Sequence, residues 1–188
     1  MEILYCKINV PNLKELQDQV KTLIPEQLYR SPRVYFPLDQ PAFFKIPELI
    51  ELLDLYNLKH SDTTFGFYAM RPFINGPVHV DWGKHEYSMN IPLVNCDNTF
   101  TTFYRPIGEP ELIPARTING TFYNPHYSFN KIELEKIEQY ESNIPCVMHI
   151  KTPHSVSNPR ITFRTNLLIR NNNNETMFKI LNGLDGRN

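Results

Sequence analysis

The runs T64-F-G-F-Y-A-M70, V78-H-V-D-W82, Y87-S-M-N-I-P-L-V94 and T99-F-T-T-F-Y104 follow one another at short intervals. Each is short, rich in aromatic and β-branched residues, and bounded by Gly, Pro, Asn or Asp, which is the pattern of strands rather than helices. Three more runs of the same kind follow: GTFYN (120–124), CVMHIKT (146–152) and RITFRTNLLI (160–169). Sixteen prolines reinforce the reading, because each removes a backbone donor and restricts its predecessor, so long helices are excluded. Upstream, two helices stand out by period. Leu13, Leu16, Val20 and Leu23 make one apolar face, with Asn12 and Glu15 as an N-terminal capping pair and Pro25 as the stop. Pro47 opens the second, whose stripe is Leu49, Leu52, Leu53 and Tyr56. Downstream, Asn171 to Asn174 read as a polar loop, and Met177, Phe178, Ile180 and Leu181 as a short terminal helix. The fold class is therefore mainly β with flanking helices, a sandwich or barrel buttressed on one side.

A length of 188 residues predicts one domain, with residues 1–60 as helical buttress and loops and residues 64–170 as the β core. At 41% apolar and 21% charged, the chain can bury a core. A formal charge of −1 gives no general pull toward phosphate, which disfavours duplex nucleic acid as a partner. No apolar run is long enough for a membrane span and no leader pattern opens the chain, so a cytoplasmic protein is expected. Cys6, Cys96 and Cys146 are odd in number and far apart, and read as reduced thiols.

Chemistry concentrates in the 78–82 run. Positions i and i+2 of a strand share a face, so His79 and Asp81 can grip one ion. A second H-x-D, His60-Ser61-Asp62, lies in a turn-rich segment and reads as turn chemistry. A further imidazole would complete a two-histidine, one-carboxylate set with vacant positions, as in non-haem Fe(II) oxygenases. His154 supplies it, in PHSVSNPRITFR (153–164), a segment that reads as a strand end, an Asn-Pro turn and a new strand opening at Arg160. On that strand Arg160, Thr162 and Arg164 share a face, and a guanidinium there asks for a carboxylate partner, such as a small dianionic acid. His85, His126 and His149 read as structural histidines; His149 and His154 are placed on one strand with opposite parity, so only one faces the metal unless the strand bends at Pro153. Trp82 reads as core, and residues 105–131 as a segment that closes over the pocket.

These blocks, H79-V-D81, S88-M-N-I-P-L-V-N-C-D97, T102-F-Y104 and I144 through F163, resemble the Fe(II)/2-oxoglutarate oxygenase superfamily. The likeness is to its small phage and marine-type members, distantly similar to aspartyl/asparaginyl β-hydroxylases. The resemblance implies a double-stranded β-helix (a cupin-like jelly roll) with iron held by His79, Asp81 and His154, which would also be its catalytic residues. It implies 2-oxoglutarate as cosubstrate and O2 as oxidant, and hydroxylation of an unidentified substrate with release of succinate and CO2. Arg160 looks like the cosubstrate arginine, with Thr162 as the accompanying hydroxyl. Related sequences usually place that arginine about ten residues after the distal histidine, the position of Arg164, so both stay open. Asn90 and Tyr104 would border the cosubstrate pocket. Two other readings remain: a non-catalytic β-helix module of a phage-type assembly, and a cupin-like metalloenzyme that does not use 2-oxoglutarate.

Overall fold

The computed structural model describes residues 2–26, 28, 34–35, 40–81, 83–108, 111–113, 126–128 and 133–184. The strands are β1 (Tyr5–Lys7), β2 (Val34–Tyr35), β3 (Thr63–Met70), β4 (Ile74–Asn75), β5 (Tyr87–Val94), β6 (Phe100–Ile107), β7 (Glu111–Ile113), β8 (His126–Ser128), β9 (Glu133–Glu141), β10 (Cys146–His149), β11 (His154–Asn158) and β12 (Arg164–Asn171). Helix α1 spans Leu13–Lys21, α2 Pro47–Leu55 and α3 Asn174–Leu181. One sheet runs β1-β10-β5-β12-β3-β2 and a second β4-β11-β6-β9, all neighbours antiparallel. In chain order the core strands β3, β4, β5, β6, β9, β10, β11 and β12 pass between the two sheets as a double Greek key. That connectivity is the jelly roll, the double-stranded β-helix.

Strand parity explains which face does what. Phe65, Phe67, Met89, Ile91, Val147, Leu167 and Ile169 turn outward from the larger sheet and are fully buried under the helices, against Leu16, Val20, Leu49, Leu52, Leu53, Met177, Ile180 and Leu181. The alternate residues, Tyr68, Ser88, Asn90, Met148, Arg164, Asn166 and Leu168, line a cleft between the sheets. A strand buried on both faces reads as a nearly continuous apolar run, as in YSMNIPLV. Pro92 is tolerated in that central strand because the β5–β12 register slips at Thr165/Asn166, opposite it.

Several sequence expectations change. Asn12 does not cap α1: it is left-handed (φ 49°), its side chain makes no capping bond, and its amide reaches Glu51 instead, at 3.4 Å. Asn171 ends β12 and Asn173 caps α3 by accepting from the Thr176 N–H, so the asparagine run is not all loop, and Phe178 is exposed while its apolar neighbours dock. His149 and His154 lie on different strands in different sheets, because the chain turns at 150–153. The final strand starts at Arg164, not Arg160: the buried Asn158 amide donates to the carbonyls of Met70, Arg71 and Thr162 and holds residues 159–163 in a turn. Trp82 and all of residues 114–125, GTFYN among them, lie outside the described residues, as do 109–110 and 129–132 of the expected closing segment. None of the described helices is long and apolar enough to cross a membrane. None of the three cysteines forms a disulfide.

Candidate active site

His79 belongs to no named strand, yet it is pinned to β11: its N–H donates to the His154 carbonyl (2.9 Å), and the His154 N–H returns to the His79 carbonyl (2.8 Å). Two residues on, the Asp81 N–H donates to the Ile150 carbonyl (2.9 Å), so the parity expected of a strand is kept without a full ladder. One ligand atom from each of His79, Asp81 and His154 can be chosen so that all lie within 4.8 Å of one another. The two imidazoles approach with centroids 4.6 Å apart, and His79 Nε2 stands 3.5 Å from Asp81 Oδ1.

The outer partners fix how these groups present themselves. His79 Nδ1 faces the Pro77 carbonyl at 3.0 Å and His154 Nδ1 the Thr152 carbonyl at 2.9 Å. A carbonyl only accepts, so each Nδ1 carries a hydrogen; His154 Nε2 then keeps its lone pair, the tautomer a metal ligand needs, while a hydrogen on His79 Nε2 is shared with Asp81 and would have to leave for a metal to bind. Burial, with the charge of the adjacent His79, lowers the His154 pKa to about 4, so this imidazole is neutral at physiological pH. For His79, burial opposes protonation, but the Asp81 carboxylate outweighs it and raises the pKa. Burial likewise works against the Asp81 charge. Hydrogen bonding from His79 and the positive groups around it, including Arg170, hold its carboxyl well below the usual carboxylate range. Arg170 grips Asp81 Oδ2 at 2.5 Å.

The same cleft continues past Ser88, Asn90, Thr101, Met148, Ile150, Val156 and Leu168 to Tyr68, Arg164 and Asn166. Arg164 is 2% exposed; its Nε donates to Asn166 Oδ1 (3.1 Å) and its guanidinium carbon lies 5.9 Å from the Tyr68 ring centre. Its Nη1 is buried with no hydrogen-bond partner. A buried cationic donor left unmatched is costly, and an acidic ligand would satisfy it.

The other expected residues are placed differently. Arg160 lies in the turn before β12, with its guanidinium donating to the Asp97 carbonyl (3.0 Å) and 3.9 Å from the Asp97 carboxylate, a partly exposed surface pairing away from the cleft. Thr162 shares that turn, and its hydroxyl is buried without a partner. Tyr104 turns its phenol to Ser155 (3.3 Å) and does not line the cleft, whereas Asn90 does, accepting from Ser88 and donating to the Met148 sulfur. His60 stacks on Phe44 and sits 3.6 Å from Asp54 on the surface. His85 bonds Asn172, and His149 bonds Thr152. The side chain of His126 lies outside the described residues. Sequence reasoning missed Tyr68, Ser88, Thr101, Met148, Asn166 and Arg170. The signal for two of them was present, since Arg164, Asn166, Leu168 and Arg170 share one parity, but it was followed only as far as Arg164.

No family model matches this sequence, and a search of curated proteins finds no relative. Solved structures do match. EvdO2 from Micromonospora carbonacea var. aurantiaca superposes with TM-score 0.50 at 13% identity over 90% of this chain and 92% of that one. The non-heme alpha ketoglutarate dependent carbocyclase SnoK from nogalamycin biosynthesis gives 0.47 at 11% identity, covering 90% and 79%. A Pseudomonas putida prolyl-4-hydroxylase gives 0.45 at 12%, covering 89% and 86%. At such identities the likeness concerns the fold alone, and the strand order has already defined it: this chain has the jelly-roll fold, the double-stranded β-helix.

Proposed function

We propose that this protein is a 2-oxoglutarate-dependent non-haem iron oxygenase that hydroxylates a substrate still to be identified. One observation carries the reading. A two-histidine, one-carboxylate cluster and a buried guanidinium with an unmatched N–H occupy the same cleft. The donor set suits a ferrous ion with open positions, and the guanidinium suits the far carboxylate of a 2-oxo diacid. Non-haem iron so bound, with 2-oxoglutarate and O2, would supply the oxidation: one oxygen atom would enter a substrate C–H bond and the other the succinate, with release of CO2.

The chain's own share is placement. His79, Asp81 and His154 would hold the metal, with the Pro77 and Thr152 carbonyls fixing both imidazoles. Arg164, backed by Asn166, would orient the cosubstrate, and the parting of Arg160 from the cleft favours Arg164 in that role. Ser88, Asn90 and Thr101 offer polar contacts along the cleft, while Met148, Ile150, Val156 and Leu168 make its walls apolar and keep water from the reacting centre. A module without turnover has no need to hold the two-histidine, one-carboxylate cluster together with that guanidinium, which sets that alternative behind the oxygenase.

The test is anaerobic reconstitution with Fe(II) and titration with 2-oxoglutarate, read by the visible charge-transfer band of the chelate. The band is expected in the native protein and lost in Asp81→Ala and His154→Ala. A native protein that binds Fe(II) and 2-oxoglutarate no better than those variants would sink the proposal.

A further inference from the structure

Asp81 sits in a conflict: its Oδ1 is 3.5 Å from His79 Nε2, so two prospective ligands can satisfy each other and compete with a cation. Two cations from other parts of the chain oppose that closure. Arg170, on the cleft-facing side of β12 and 89 residues away in sequence, takes the second oxygen, Oδ2, with both side chains mostly buried. Lys151 holds the backbone, donating from its ammonium to the carbonyls of Asp81 (2.7 Å) and Gly83 (2.8 Å). Gly83 has φ +99°, a conformation that side chains rarely adopt, and this turn brings both carbonyls to one ammonium. Because Lys151 lies three residues before His154, the contact ties the Asp81 loop to the turn that delivers the second imidazole.

We propose that Arg170 and Lys151 are positioning residues that hold Asp81 as a one-oxygen metal ligand. The inference rests on the metal site assigned under the proposed function. Arg170 occupies the oxygen that would otherwise allow the carboxylate to chelate through both atoms, which keeps coordination positions open. Its charge also repels a cation, but the gain from a fixed ligand is the larger effect, since losing such outer partners costs about 10–100-fold in metal affinity.

The experiment is calorimetric titration of the metal-free protein with Ni(II), without cosubstrate. Arg170→Gln is expected to bind about 10–100-fold more weakly, and Arg170→Lys to recover part of the loss. Placed in an Asp81→Asn background, Arg170→Gln should change affinity by no more than about twofold, because the partner through which it acts is gone. Lys151→Met, which keeps the length of the side chain and removes both donors, should also weaken Ni(II) binding; it carries the test should the glutamine variant not fold. Native affinity in both Arg170→Gln and Lys151→Met, or an equal loss with and without Asp81, overturns the positioning role alone. Ni(II) binding indifferent to Asp81→Asn and His154→Ala overturns the metal site and the positioning role together.

Discussion

Replacing Arg164 by methionine separates binding from folding. The native guanidinium is buried, spends Nε on Asn166 and leaves Nη1 without a partner. A charge-assisted hydrogen bond to a cosubstrate carboxylate is worth about 1.5–3 kcal/mol, and a bidentate pair adds to that. Arg164→Met should therefore weaken 2-oxoglutarate binding by about 10²- to 10³-fold, since 1.4 kcal/mol is a factor of ten. The metal-free variant should lose little stability, because relief of an unmatched donor, about 1–3 kcal/mol, offsets the lost bond to Asn166. Arg160→Met provides the contrast. Its partly exposed pairing with Asp97 is a surface interaction worth about 0–1 kcal/mol and lies outside the cleft, so cosubstrate affinity should stay within about threefold of native. The assay is the anaerobic charge-transfer titration, with urea unfolding in parallel. If Arg160→Met weakens binding as much as Arg164→Met does, the assignment of the cosubstrate arginine is wrong.

Asn158→Ala removes the amide that joins the turn after β3 to the turn before β12, and should cost about 1–3 kcal/mol in urea unfolding; an unchanged midpoint would refute that role. Burial pushes the Cys146 thiol up to about 11 and raises that of Cys96, so both stay protonated through pH 8. A thiol reagent at pH 8 should then label only Cys6 in the native state and all three after denaturation, and rapid native labelling of two or more would contradict it. His60→Ala, in the surface H-x-D, should leave Ni(II) affinity unchanged by calorimetry, in contrast to His79→Ala.

The sequence carried the local information. The strand pattern marked β3 and β5 nearly to the residue and the first half of β6, leucine spacing marked the buried face of α2, and i, i+2 parity put His79 and Asp81 together. These properties depend on neighbours in the chain, so the chain alone displays them. Tertiary structure decided what parity could not. Arg160 and Arg164 have the same parity, and only the Asn158 bonds to Met70 and Arg71, nearly ninety residues away, set the strand's start beyond Arg160 and put Arg164 in the cleft. His149 and His154 read as one strand, and Pro153 marks only that a bend is allowed between them; that the chain there changes sheets is decided by the pairing of β10 and β11 with distant partners. Arg170 meets Asp81 only because β12 lies where the two sheets of the jelly roll bring distant segments side by side. Pairing across such separations is fixed by the whole set of registers, which short-range pattern does not encode.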